Sequence, residues 1–191
     1  MEAANHHNIG QVTNPTVGML RIFRGTIVVG LALCLSAFAS AATLRGEVVG
    51  LADGDTVTVL DTSKTLHKVR LAGIDAPEKR QPFGDRSRQN LAALVFRKQV
   101  VVDWNKTDRY GRIVGTVTIG QVDAGLEQIR AGMAWHYKQY AREQVAEDRS
   151  AYSAAEDAAR EARVGLWSQR DPVPPWDFRK AANSPPQPTS P

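Results

Sequence analysis

The chain has 191 residues, enough for one domain with a sizeable core, and its charged (23%) and apolar (42%) fractions exclude a disordered or fibrous chain. A single cysteine excludes a disulfide scaffold. The net charge of +4 is too mild to establish nucleic-acid binding from composition alone.

Residues 1–41 read as a leader. Residues 1–18 are polar, and His6-His7 there is read as part of the leader and not as a metal site. Met19, the basic Arg21 and Arg24, the uncharged apolar run from Gly25 to Phe38, and the small residues Ala37, Ala39 and Ala41 form the pattern of a secretory signal with cleavage after Ala39 or Ala41. The alternative is a membrane anchor, because no charge separates Arg24 from Arg45 and about 20 residues just suffice to span a bilayer. The only cysteine, Cys34, lies in this run. The expected mature protein is secreted or periplasmic, with the anchored form as the alternative.

The following chain alternates strand and turn signals. Leu44 to Val49 is an expected strand; Asp53-Gly54 marks a hairpin turn, and Val57 and Val59 alternate after it. Asp61 to Lys64 makes a second turn, and Leu66 to Leu71 returns as the third strand, with His67 at a surface position. Residues 84–98 predict a helix through Leu91, Leu94, Val95 and Lys98. The β-branched run Val100 to Val102 with Trp104 predicts a fourth strand, and Ile113 to Ile119 a fifth. Asp123 suits the N-cap of a helix carrying Leu126, Ile129 and Met133, which Gly132 interrupts late. Residues 141–163 predict the last helix, with Val145, Tyr152, Ala155, Ala159 and Ala162 on one face and Gly165 as its stop. Residues 169–191 are a Pro-rich arm and disordered tail, with Trp176 packing on the domain. This pattern alone supports a small α+β domain with an early meander.

Three stretches carry possible chemistry. Residues 69–78, Val-Arg-Leu-Ala-Gly-Ile-Asp-Ala-Pro-Glu, place Arg70, Asp75 and Glu78 around a strand end marked by Gly73 and Pro77. Alone this is as consistent with a strand and turn bearing solvated charges. Asp53-Gly54-Asp55-Thr56 precedes one apolar alternation, and Thr107-Asp108-Arg109-Tyr110-Gly111-Arg112 precedes another. Basic residues cluster beside these carboxylates, among them Lys79, Arg80, Arg86, Lys106, Lys138 and Arg142. Such clustering favours a phosphate-binding cleft over scattered surface charge.

In this order, DGDTV, VRLAGIDAPE and TDRYGR resemble the staphylococcal (micrococcal) nuclease family, the thermonucleases, over roughly residues 44–168. The resemblance implies an α+β fold, a five-stranded OB-fold β-barrel with three helices, in a domain over residues 42–168. It implies a Ca²⁺-dependent hydrolase of DNA and RNA, of low sequence specificity, that prefers single strands and leaves 3′-phosphate ends. It implies Asp55, Asp75 and the Ala76 backbone carbonyl as Ca²⁺ ligands, with Asp53 as a turn residue or a support behind them. Glu78 matches the position held to activate or orient the attacking water, and Arg70 and Arg112 those that contact the scissile phosphate. Arg109 and Tyr110 match positions that help hold a terminal phosphate. Tyr137 and Tyr140 resemble an aromatic wall for a base, while Trp135 reads as core. No stable protein partner is implied, and a monomer is expected. Because Arg70, Glu78 and Arg112 flank turns, their removal is expected to cost little stability. The competing reading is a non-catalytic OB-fold module that binds nucleic acid or protein; the presence of Arg70, Arg112, Asp55, Asp75 and Glu78 together argues against it.

Overall fold

The computed structural model describes residues 42–184. The expected leader and signal lie outside the described residues, as does the end of the expected tail. Among the described residues, no helix is long and apolar enough to cross a membrane.

The first three strands, β1 (Ala42–Leu51), β2 (Thr56–Asp61) and β3 (Leu66–Leu71), form an antiparallel meander. Its inward positions are Val48, Val57, Val59, Val69 and Leu71, all essentially without solvent contact. The chain then runs through a two-residue strand β4 (Ile74–Asp75) and helix α1 (Gly84–Val95) to β5 (Gln99–Thr107) and β6 (Ile113–Ile119). β5 pairs with β1, β6 pairs with β5, and a parallel pairing of β3 with β6 closes the five long strands into a barrel. Closure satisfies the backbone groups that an open edge would leave unpaired. Gly115 lies at this seam opposite Leu71, and a Cβ there would sit 2.6 Å from the Asp103 carbonyl oxygen. A side chain would force the strands apart.

The strand β7 (Val122–Asp123) leads into helix α2 (Ala124–Arg130), followed by β8 (Trp135–His136), a 3₁₀ turn (Lys138–Glu143), helix α3 (Ala146–Glu161) and a second 3₁₀ turn (Gly165–Ser168). Asp123 caps α2 as expected, accepting from the Gly125 and Leu126 amides. Leu91 and Val95 of α1 and Ala124 and Ile129 of α2 close the core under the barrel. The structure has the α+β architecture of the expected fold, and helix α4 (Pro175–Asn183) adds to it in the stretch read as an arm. Trp176 of α4 packs with Trp135, Ala159, Leu166 and Trp167 in a second apolar cluster.

Three helix ends differ from the sequence expectation. α1 stops at Val95, because Phe96 turns extended and Arg97 enters the left-handed region at φ 59°. Lys98 therefore lies off the helix, where its carbonyl accepts from Val48 and starts the approach to β5. α2 ends before Met133: Gly132 at φ 63° lets its amide reach the Ile129 carbonyl and that of Met133 reach Gln128, a Schellman closure. α3 is shorter than residues 141–163, and Val145 and Ala162, expected on its inner face, are exposed. It stops at Arg163, which takes the left-handed conformation (φ 51°) that the sequence pattern gives to Gly165. Gly165 is left-handed as well (φ 55°) and permits a close approach of two backbones: it presses against Gly132, whose carbonyl accepts from Leu166.

Candidate active site

The site forms where the ends of β1–β2, β3–β4 and β6 meet. Asp53 shapes the first turn by accepting from the Asp55 amide (3.0 Å), and the Ala52 amide donates to Thr56 across it. The turn packs so tightly that a Cβ on Gly54 would lie 2.9 Å from that of Ala76. The Leu71 amide donates to the Asp55 carbonyl at 2.8 Å, tying the turn to the end of β3. The chain reverses at Ala72-Gly73, and β4 pairs with β8, Asp75 opposite Trp135. This reversal carries Asp75 under Arg70, and the Ala76 amide donates to Asp55 Oδ2 at 3.2 Å.

Arg70 is the hub. Its Nη2 lies 2.7 Å from Asp75 Oδ1 and 3.3 Å from Asp55 Oδ2, while Nη1 donates to the Ile74 carbonyl. One guanidinium nitrogen thus bridges both carboxylates. Asp75 is 1% exposed and Asp55 6%. Burial pushes the Asp75 carboxyl up from its ordinary value, against the hydrogen bond from Arg179 and the charge of Arg70. Burial works against the charge of Arg70, but Asp55 and Asp75 hold its pKa above the ordinary value. Asp53 is pushed up to about 7, chiefly by burial and then by the neighbouring Asp55 charge. Burial thus disfavours the charged forms of Asp53 and Asp75.

Arg112 reaches the same end from β6's entry. Asp108 fixes it by accepting from its backbone amide (3.0 Å) and from Nε (2.7 Å), and Nη1 lies 3.4 Å from Thr56 Oγ1. Thr56 in turn donates to Asp55 Oδ1 at 2.9 Å. Against some burial, which pushes upward, these donors hold the Asp108 carboxyl below its ordinary value. Tyr110 is largely exposed, with the Arg109 and Arg112 guanidinium carbons 5.2 and 5.5 Å from its ring centre. Tyr137 lies with its ring centre 5.9 Å from Arg70 Cζ and 5.1 Å from the Tyr140 ring. Lys106 Nζ stands 5.1 Å from the exposed Tyr140 ring. Trp135 is buried, edge-on to Trp167 at 4.3 Å, so it belongs to the core as expected. Beside Tyr137 a cleft of about 380 Å³ opens between Lys138, Arg160, Trp176 and Lys180.

Two contacts have no counterpart in the sequence reading. Gln128 of α2, fully buried, donates from Nε2 to the Gly54 carbonyl at 2.7 Å and to the Ser87 carbonyl at 3.1 Å. It accepts from Asn90 at 2.6 Å, so one side chain fastens the Asp53–Asp55 turn to both α1 and α2. Arg179 of α4 donates to Asp75 Oδ2 (2.8 Å), Asp75 Oδ1 (3.3 Å) and Glu78 Oε1 (2.7 Å). Nothing in the spacing of either residue announces these partners; an arginine three residues after a tryptophan in a Pro-led segment is the one signal for Arg179. One premise is corrected: Arg70 is not an exposed residue flanking a turn, since its side chain is 15% exposed and pairs with two buried carboxylates.

The donor set suits a hard cation. Asp55 and Asp75 offer carboxylate oxygens, and one guanidinium nitrogen within reach of both shows how closely they converge. Among the described residues no group of three His, Cys, Asp or Glu side chains is arranged to hold an ion. Two carboxylates with carbonyl and water oxygens are what the site can offer, which fits weak binding of a cation that tolerates water ligands.

Comparison with known proteins shows which family the chain falls in. The family described as Staphylococcal nuclease homologue matches residues 68–169. The chain is 44% identical over 163 residues to the Protein ParB of Escherichia coli, covering 81% of this chain and 89% of that one. It is 42% identical over 152 residues to a protein of Shigella flexneri named Micrococcal nuclease (75% and 84% covered), and 41% identical over 139 residues to an uncharacterized endonuclease of Escherichia coli (72% and 86% covered). With a matching domain over more than half its length and relatives this similar over most of theirs, the chain belongs to the family of staphylococcal nuclease homologues.

Proposed function

We propose that this nuclease hydrolyses phosphodiester bonds of DNA and RNA with low sequence specificity, prefers single strands, depends on Ca²⁺ and leaves 3′-phosphate ends. The observation that carries this is the meeting of Asp55, Asp75, Arg70 and Glu78 at one end of the barrel, with Arg112 two hydrogen bonds away through Thr56. Asp55, Asp75 and the Ala76 carbonyl would hold the cation, which would supply Lewis-acid polarisation of the phosphate. Arg70 and Arg112 offer planar guanidinium donors to phosphate oxygens and stay charged at any relevant pH. Such donors accelerate the reaction to the extent that they bind the five-coordinate state better than the ground state. Glu78, more open than the aspartates, orients or activates the attacking water. Arg109 with Tyr110 holds a terminal phosphate. Tyr137 and Tyr140 stack a base, a contact indifferent to base identity, which supports low specificity. The protein works as a monomer and is exported to the periplasm or medium after loss of residues 1–41.

The test is cleavage of single-stranded DNA by purified protein. EGTA should abolish cleavage, Ca²⁺ should restore it with an apparent Kd on the order of 10⁻⁴–10⁻³ M, and Mg²⁺ should restore little. Full activity in EGTA overturns the cation site, and products with 3′-hydroxyl ends overturn the assigned bond. Binding of the oligonucleotide without cleavage under every condition supports the non-catalytic module instead.

A further inference from the structure

Helix α4 brings a third arginine to the carboxylates. Its N-terminus is set by Pro174-Pro175, and Trp176 anchors it: the indole stacks on Tyr137 at 5.4 Å with 21° between planes and meets Trp135 edge-on at 5.6 Å. Residues three apart share a helix face, so the anchor directs Arg179 to the same side. There its fork spans Asp75, and Nη1 also takes Glu78 Oε1 at 2.7 Å. The segment before α4 is tied down as well, since Gln81 donates to the Val173 carbonyl at 2.6 Å while its own Oε1 accepts from the Glu78 amide.

Among the described residues, nothing else bonds to the Glu78 carboxylate. The side chain is 38% exposed and follows a proline, and it must stand near the like-charged Asp75. Left alone, such a carboxylate samples several rotamers and is repelled by its neighbour. A group that orients water has to be held to about half an ångström. A planar guanidinium already committed to Asp75 supplies that restraint and screens the two charges from each other. We propose that Arg179 is a positioning residue of the hydrolysis: it holds Glu78 in place against Asp75, so that the C-terminal helix completes the active site. This rests on the reading of Glu78 as the water-orienting group.

The experiment is a double-mutant cycle in the full chain, with Arg179→Ala, Glu78→Gln and the pair, assayed on single-stranded DNA at saturating Ca²⁺. Glu78→Gln should lower kcat at least about 10²-fold, and Arg179→Ala should lower it about 10–10²-fold, with KM moved far less. In the Glu78→Gln background, Arg179→Ala should cost less than about threefold, because no carboxylate remains to be positioned. Arg179→Lys should recover only part of the loss, since an ammonium cannot span both carboxylates as the fork does. The same cycle read as urea midpoints without added metal should be non-additive, which a contact absent from solution would not produce. Arg179→Met, which keeps the stem, replaces Arg179→Ala if that variant does not fold. If Glu78→Gln leaves kcat unchanged, the reading of the site falls and this inference with it. If Glu78→Gln is impaired but Arg179→Ala is additive to it, or leaves kcat unchanged, the inference alone is wrong. A rise in kcat on removing Arg179 also overturns it, since the guanidinium would then be blocking the carboxylates.

Discussion

Two aspartates at opposite ends of the barrel strands have similar numbers of partners and opposite behaviour. Asp61, at the β2–β3 turn, accepts from Ser63 Oγ (2.6 Å) and the Thr65 amide (2.9 Å), and His67 Nε2 lies 2.8 Å away. It remains in contact with water, and those hydrogen bonds, Ser63 first, hold its carboxyl well below the ordinary value. Asp75 takes contacts from two guanidinium groups, yet burial pushes it upward. At the turn, donors add to hydration; at the site, they replace it, and the replacement is incomplete. Charge at the site end is thus held by particular side chains, while at the turn it is shared with solvent.

The largest effect that would break this contrast is at Arg70. Arg70→Ala removes the bridge between Asp55 and Asp75, and a lost partner for buried charge costs about 3–5 kcal/mol. Urea denaturation should show that loss, with turnover lower by about 10²–10³-fold in whatever remains folded. A variant as stable as the parent would mean that the two carboxylates do not depend on Arg70 for a counter-charge. Arg112→Ala should separate rate from stability. It should lose turnover on the same scale, but its partly exposed pair with Asp108 contributes no more than about 1 kcal/mol. Far lower melting with turnover retained would make Arg112 structural and remove it from the proposed phosphate contacts.

Gln128→Leu tests the support beneath the turn. The Gly54 and Ser87 carbonyls would lose a buried donor, at about 1–3 kcal/mol, and the proposed Ca²⁺ dependence of cleavage should shift to higher concentration as the Asp55 turn loosens. An unchanged Ca²⁺ midpoint would detach this residue from the site. The smallest effect belongs to the solvated end. The Asp61 carboxyl is lowered on folding, so its contribution is fully present above the ordinary value of 3.8 and is lost as pH falls below it. Asp61→Asn should slightly lower the melting temperature at neutral pH and flatten its decline below about pH 4. A melting temperature with the same acid dependence in both proteins would show that the turn contributes nothing.

The five long strands were legible because their signal is local. Val57 and Val59, Val100 and Val102, and Ile113 with Val117 alternate or cluster as half-buried strands do, and Asp53-Gly54 and Asp61–Lys64 mark the turns between them. Helix ends were less legible. Val145 fits the period of α3 but lies outside it, because the turn that carries the chain from β8 occupies residues 138–143. Arg163 ends that helix in a conformation usually left to glycine, and the nearby Gly165 concealed this.

The sequence by itself determined which residue types stand at the ends of which strands: Asp55 after a turn, Arg70 in a strand, Asp75 and Glu78 around a proline, Arg112 after a second turn. Only the tertiary structure decided their relations. Closure of β3 on β6 sets Arg112 near Thr56, and the reversal into β4 puts Asp75 on Arg70. Gln128 is 74 residues from Gly54 and Arg179 is 101 from Glu78. No periodicity links positions so far apart. A pattern in the chain reports which face of its own element a residue occupies, whereas its partner is chosen by how the elements pack, and burial then decides how strongly the two are bound together.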